Sequence, residues 1–397
     1  MAMKPWPRVA RSLGWMPYPP VSVAHAASGP LRGLRFGVKD VFHVAGYPTS
    51  MGQPLLAARG GVQHETAPLV QLLLDAGAQL AGKTITDELA FSMTGHNVHY
   101  GQPINGAAPT RITGGSSTGS AAAVSHGEAD FALGTDTGGS VRAPANHCGL
   151  WGLRPTHGRV SCEGVMALAP SFDTCGWLAR DAKVFARVSA AVLGVDSANL
   201  GPPRWLWPTD LWSLAQTRAS QTLRPLARRA LRDEDHSRVT VMDGATDEAY
   251  WAFRHLQGHE VWQQWGAFVQ REQAPLGGTT AARMRWAQSI EAKQVREAKT
   301  WRRAFSQRMD ALLGANGVLL VPTMPDIAPL RLAPEASVED YRERAIRMLC
   351  VAGLAGLPQV NIPLASRLGA PLGLSLIGPR GSDAHLVAWA LALAQRV

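Results

Sequence analysis

Cysteine is scarce in this chain: four residues, at positions 148, 162, 175 and 350, with no Cys-x-x-Cys spacing among 397. That excludes a disulfide framework and predicts reduced thiols in a cytoplasmic protein. No apolar run reaches the roughly 18 residues of a membrane helix, so a spanning segment is not expected. The first twenty residues, MAMKPWPRVARSLGWMPYPP, carry basic residues but no continuous apolar stretch before their prolines, which argues against a signal peptide. Charge is also sparse, 17% of residues against 46% apolar, which leaves ample material for a large core. Internal repeats and low-complexity tracts are absent.

The charge that is present is lopsided, a net +9, which raises nucleic acid or an anionic substrate as a partner. Its distribution argues for a solvated basic surface instead. Arginines are spread along the chain, and the densest patch, RPLARRALRDEDHSR (224–238), is broken by acids. Neither a Lys-rich tail nor an RNA-binding aromatic pattern accompanies it, so no nucleic-acid partner is expected.

LRGLRFGVK (31–39) reads as a short strand ending at a polar Lys-Asp pair. TAPLVQLLLDAGAQLAGKT (66–84) reads as a capped helix followed by a short strand at AQLAG, and FALGTDTGG (131–139) as an apolar strand ending in a glycine turn. Strand, helix and glycine-rich turn recur, which predicts an α/β class with helices covering a mostly buried mixed sheet. Between about 195 and 345 the composition shifts. PPRWLWPTDLW (202–212) looks like a linker, 246–268 looks helical, and 282–313 reads as one long amphipathic helix or a pair. Strand-like text returns at GVLLVPTMP (317–325) and PLGLSLIGP (371–379). The expectation is one unit over residues 1–397: a sheet core from 31–195 and 315–397, with a more variable helical insert at about 195–315 lying over the active site.

Two glycine-, serine- and threonine-rich turns carry the chemistry: ITGGSSTGSAAAV (112–124) and GTDTGGSVRAPA (134–145). A phosphate-binding P-loop would close on Gly-Lys-Ser/Thr, and the first turn ends in STGS without lysine. A nucleophile elbow, G-x-S-x-G, is literally present from Gly115 to Gly119 with Ser117 at its centre. It should follow a buried strand, whereas NGAAPTRIT is polar and broken by proline; His385 is the downstream histidine, without a compelling Asp partner.

Taken together, and with GVKD (37–40) upstream, the two turns resemble the amidase signature family. The resemblance runs from Thr84 to about Asp181, through YGQPINGAAPTRITGGSS, GLWGLRPTHGRVS and SFDTCGWLARD, and returns in VPTMP, AGLPQVNIP and PLGLSLIGP. The 24-residue interval from Ser116 to Ser140 matches the family's spacing between its two serines. The resemblance implies Ser140 as nucleophile, Ser116 as a bridging serine after a cis peptide bond, and Lys39 as base. It implies an oxyanion hole from the backbone of Thr137, Gly138, Gly139 and Ser140, with no cofactor and no metal.

That division of labour is chemically coherent. A serine hydroxyl needs an adjacent base, and a lysine serves only if burial populates its neutral amine. Taken singly, Lys39 would read as a strand-end lysine and the serines as turn residues. Ser117 reads as a hydrogen-bonding support. Arg142 either holds an acidic substrate or pairs with Asp136 or Asp173, the latter being preferred. His255 and His259 fall at i and i+4, yet read as a packing pair rather than metal ligands, and HNVH (96–99) as loop. Cys148 and Cys175 read as small core residues.

For the substrate, TDELAFSMTGHN (86–97) leads toward the serine loop, so Ala90, Phe91 and Met93 are the candidate pocket residues. Trp251, Trp262 and Trp265 of the insert either cover that pocket or pack within the core. The text is most similar to the short plant and bacterial amidases that include indole-3-acetamide hydrolases, implying a small apolar or aryl amide as the partner, with no membrane and room for a homodimer. A glutaminase-like amidotransferase subunit shares the signatures, though such chains are usually longer. A non-catalytic scaffold of the same fold would typically lose triad residues.

Overall fold

The computed structural model describes residues 12–397 apart from 198, 199, 233 and 234. Residues 1–11, on which most of the signal-peptide reading rests, lie outside the described residues. The strands are β1 (Arg35–Lys39), β2 (Gln79–Thr84), β3 (Phe131–Asp136), β4 (Trp151–Arg154), β5 (Thr174–Ala179), β6 (Arg204–Pro208), β7 (His236–Val239), β8 (Gly317–Pro322), β9 (Gln359–Arg367) and β10 (Ala370–Ile377). They form one ten-stranded sheet in the order β2-β1-β3-β5-β4-β9-β10-β8-β6-β7. Both flanks are parallel, β2–β1–β3 and β8–β6–β7, while the middle from β3 to β8 is antiparallel. Parallel neighbours need long crossovers. The helices Pro68–Asp75 and Thr118–Ser125 supply those into β2 and β3.

Both faces of the sheet's centre are buried: β3, β4, β5, β8 and β10 are buried along their whole length, so the side chains that alternate between the two faces are covered on both. Phe131 and Leu133 join one core cluster with Cys175 and Trp177 of β5, while Ala132 and Leu178 join another. Over the first face lie the helices Ala182–Leu193, Thr217–Leu231 and Asp383–Ala394, contributing Phe185, Leu223 and Leu386. Over the second lie Thr118–Ser125 and Arg142–Cys148, with Thr246–Glu272 and Glu335–Ala355 beyond. Among the described residues no helix is long and apolar enough to cross a membrane.

The expected strands at 31–39, AQLAG, 131–139, 317–325 and 371–379 correspond to β1, β2, β3, β8 and β10. The 282–313 stretch is a pair, Gly278–Gln288 and Ala292–Leu313, separated where Glu291 caps the second helix reciprocally with Gln294. The linker reading of 202–212 is corrected. It is β6 followed by the helix Thr209–Leu214, and Trp205, Trp207 and Trp212 are buried there, the last two rings stacked 4.5 Å apart. The region from 195 to 315 therefore adds β6 and β7 to the sheet as well as helices over it.

Candidate active site

Lys39 ends β1, and Thr135 and Asp136 end the parallel neighbour β3, so the sheet brings both to the carboxyl ends of its strands. The helix Thr118–Ser125 starts from the first glycine turn and returns the chain to β3. Its small side chains leave it buried from Thr118 to Val124. This packing holds Ser116 over the end of β1. Lys39 Nζ donates to Ser116 Oγ at 2.8 Å and to Thr135 Oγ1 at 2.8 Å. The peptide bond before Ser116 is cis.

Two buried lysines end neighbouring strands, and they differ sharply. Lys83 lies 2.6 Å from Asp40 Oδ1. Lys39 is fully buried and hydrogen-bonds hydroxyls only, while the carboxylates of Asp87, Asp173 and Asp136 act on it through space. Burial pushes Lys39 down to about 7 despite those carboxylates, so its amine is half neutral near pH 7.

The second turn is built around Asp136. Its carboxylate accepts from the N–H groups of Gly139 (2.9 Å), Val141 (3.0 Å) and Arg142 (3.2 Å). Arg142 Nη2 and Arg154 Nη1 also grip it, at 2.7 and 3.1 Å, and all three side chains are fully buried. The two guanidinium groups outweigh burial and hold the Asp136 carboxyl well below the usual range. Of the alternatives for Arg142, the pairing with Asp136 is the one present, and its Nη1 reaches Leu349 O and Gln359. Asp173 instead accepts from Thr137 Oγ1 at 2.5 Å.

This geometry corrects one expected oxyanion donor: the N–H of Gly139 is engaged by Asp136 and is not free to turn toward a substrate. The glycines themselves are required. A side chain at Gly138 would stand 2.6 Å from Phe253 Cζ, and Gly139 has φ +125° with Leu349 Cδ1 2.5 Å from its missing Cβ. Phe253 belongs to the helix Thr246–Glu272, which thus lies directly over the turn. Ser140 is 6% exposed, and its carbonyl accepts from the N–H of Ser117 at 3.2 Å, tying the two turns together. Ser117 Oγ donates to Thr135 O, a support role as expected.

A cavity of about 370 Å³ meets this constellation at Thr135. Of the candidate pocket residues Ala90 lines it, but Phe91 does not: it is buried in the core, its carbonyl held by Arg283 at 3.0 Å. Met93 faces the Gly139 turn, its Cε 3.1 Å from the missing Cβ. Most of the lining comes from the loop 157–173, including Val160, Cys162, Val165, Met166 and Leu168. Sequence reasoning passed over that loop because it has no periodicity. Trp265 backs it, donating to Ala167 O at 2.8 Å, whereas Trp262 is half-buried and Trp251 is 47% exposed.

The elbow alternative fares differently. His385 does have an aspartate, Asp196 at 2.8 Å, yet both sit at the start of the helix Asp383–Ala394, where Asp196 also accepts the N–H groups of Ala384 and His385. His255 stacks on Trp251 and Trp286, and His99 bonds Glu88. Cys148 and Cys175 are buried. One contributor was missed, and one was named only as a partner of Arg142. Thr135, the second acceptor of Lys39, is legible only once β1 and β3 are paired. Asp136 was signalled by an Asp preceding a Gly-Gly turn, a placement that favours capture of following N–H groups.

A buried lysine bonded to a serine at the strand ends of an α/β sheet, beside an apolar cavity, defines an α/β protein with a serine–lysine site. The family model described as Amidase matches residues 20–225 and 232–387. Amidase 1 of Arabidopsis thaliana is 34% identical over 400 residues, covering 92% of this chain and 94% of the relative. Amidase 1 of Oryza sativa subsp. japonica is 36% identical over 388 residues, covering 90% and 89%. A crystal structure of an amidase superposes with a TM-score of 0.84 at 30% identity, over 93% of this chain and 86% of that one. The chain belongs to the amidase family, and its activity is in coarse terms that of an amidohydrolase.

Proposed function

We propose that the protein hydrolyses the C–N bond of a small, apolar or aryl linear amide through an acyl-enzyme on Ser140. The observation that carries this reading is the fully buried Lys39, its Nζ 2.8 Å from Ser116 Oγ. In the neutral form the Lys39 lone pair accepts the Ser116 proton while Ser116 accepts that of Ser140. Ser140 Oγ attacks the carbonyl carbon, and the tetrahedral oxyanion is met by the N–H groups of Thr137, Gly138 and Ser140. Each such donor is worth about 3 kcal/mol in the barrier. Collapse breaks the C–N bond, with the proton returned through Ser116 to the leaving amine. Water then repeats the sequence on the acyl ester and releases the carboxylate.

The apolar side chains among the lining, Val160, Val165, Met166, Leu168 and Ala90, support an uncharged acyl group. The whole chain works as one domain in this reading, with Thr246–Glu272 as a fixed roof over the oxyanion turn, and in the cytoplasm. No cofactor enters any step. The glutaminase-like reading differs in substrate, and the scaffold reading is disfavoured by the intact Lys39–Ser116 bond.

The test is ammonia release from indole-3-acetamide, benzamide, a short aliphatic amide, malonamate and glutamine, with Ser140→Ala as control. Release from aryl amides that Ser140→Ala abolishes is the expected result. Release from glutamine alone would replace the proposal with the amidotransferase reading.

A further inference from the structure

The four cysteines fall into two kinds. Cys148 and Cys350 are buried, and burial raises both thiols, that of Cys350 to about 12, which leaves them unreactive. The other two meet. Cys175, near the start of β5, donates to Cys162 Sγ at 3.4 Å. Cys175 is fully buried, whereas Cys162 is half-buried in the loop 157–173 and lines the cavity at Thr135. The cavity thus has a thiol in its wall and a second thiol directly behind it.

The hydrogen bond divides their roles. Receiving it lowers Cys162 below the ordinary thiol value, against the opposing effects of burial and Asp173. Donating it, together with burial, raises Cys175. An oxidant entering the cavity therefore meets the Cys162 sulfur first, with Cys175 held behind it as the resolving partner. The two sulfurs also sit on parts that differ in freedom. Cys162 belongs to a loop without helix or strand, while Cys175 lies opposite Thr135 in the β3–β5 ladder, and Thr135 accepts from Lys39. A bond between them ties the cavity wall to the strands that present the Lys39 site.

We propose that Cys162 and Cys175 are a reversible redox couple, which a hydroperoxide links into a disulfide that pins the 157–173 wall to β5 and alters the fit of the substrate. The Cys162 thiolate attacks the O–O bond of the peroxide, gaining a hydroxyl as a sulfenic acid while the departing oxygen takes a proton. The Cys175 sulfur then attacks the sulfenic sulfur, the S–OH bond breaks, and the hydroxyl leaves as water with the Cys175 proton. Two thiols and one hydrogen peroxide give one disulfide and two waters; the thiols are oxidised and the peroxide is reduced. Disulfides of cytoplasmic proteins are transient couples of this kind rather than permanent staples. The sulfurs must close from 3.4 Å to about 2 Å, and the loop can yield where the buried strand cannot. Val160 and Val165, close to Cys162 along the loop, line the same cavity and shift with it.

The test exposes the reduced full-length protein to a slight excess of hydrogen peroxide, followed by non-reducing digestion and peptide mass spectrometry. The expected result is a Cys162–Cys175 linked peptide that dithiothreitol releases. With it, kcat/KM for indole-3-acetamide is expected to fall about tenfold and to recover on reduction, since a shift of about 1 Å in a substrate-positioning wall is costly. Cys175→Ala cannot close the bond and is expected to accumulate the Cys162 sulfenic acid, trapped by dimedone. Cys162→Ser is expected to yield neither product, and covers a failure of Cys175→Ala to fold; each variant's response to peroxide is read against its own untreated rate. The link is read by mass, so it stands or falls whether or not an amide is turned over, and inactivity of the reduced protein would count against the amide reading alone. Wild-type Cys162 carried to sulfinic acid without a link, a link to Cys148 or Cys350 instead, or equal kcat/KM in active oxidised and reduced protein would overturn the proposal.

Discussion

Lys39→Met removes the amine while keeping most of the side chain's length. Burial pushes Lys39 from 10.5 down to about 7 in the folded protein. Below that pH the native state carries an ammonium in the core that the unfolded chain keeps in water. Between pH 7 and 10.5 the unfolded chain binds the extra proton, so stability rises with pH across that window. At about 1.4 kcal/mol per tenfold in proton affinity, the burden is about 5 kcal/mol at pH 6 and about 2 kcal/mol at pH 9. The substitution also forfeits the bonds to Ser116 and Thr135, about 1 kcal/mol each. Lys39→Met is therefore expected to be more stable than the wild type by a few kcal/mol at pH 6, with the advantage shrinking by about 3 kcal/mol by pH 9. Its activity should fall by about a thousandfold or more. Urea unfolding of both proteins at pH 6, 7.5 and 9 reads the first quantity. The wild-type kcat/KM should rise about tenfold per pH unit below 7 and level off above it. A stability difference independent of pH, together with a rate profile flat from pH 6 to 8, would refute the reasoning.

Gly138→Ala puts a methyl 2.6 Å from Phe253 Cζ and should lower kcat by about a hundredfold at little change in KM, with about 1–3 kcal/mol of destabilisation by calorimetry. Asp136→Asn leaves Arg142 and Arg154 buried without their shared anion, and about 3–5 kcal/mol of stability should be lost in urea titrations at pH 7. Because the Asp136 carboxyl is held low, its contribution is complete above the ordinary aspartate range and disappears as pH falls, so the variant and wild type should converge in acid. Met166→Trp fills the apolar cavity and should raise KM for bulky aryl amides more than for acetamide, which steady-state kinetics on both will show.

The parts of the fold that announce themselves in sequence are those whose local pattern matches their final environment. β1, β3 and β8 are short apolar runs bounded by Gly, Lys-Asp or Pro, and such runs are strands wherever both faces are buried. β6 was concealed by prolines: 202, 203 and 208 bracket RWLW, and its strand character depends on pairing with β8, more than a hundred residues away. The triad candidates rest on the resemblance to the amidase signature family, which no local rule would have supplied. Lys39 becomes unusual only when helix Thr118–Ser125 closes over it. The loop from 157 to 173 has neither helical nor strand periodicity, so its role as cavity wall emerges only from tertiary packing.

The most direct test of Ser140 as the nucleophile served by Lys39 is a pre-steady-state reaction with p-nitrophenyl acetate, quenched and mapped by peptide mass spectrometry. The expected result is a burst of one p-nitrophenol per protein and an acetyl group on Ser140, with the burst slowed in Ser116→Ala and absent in Lys39→Met. An acetyl group on Ser117, or a burst of undiminished rate in Lys39→Met, would contradict it.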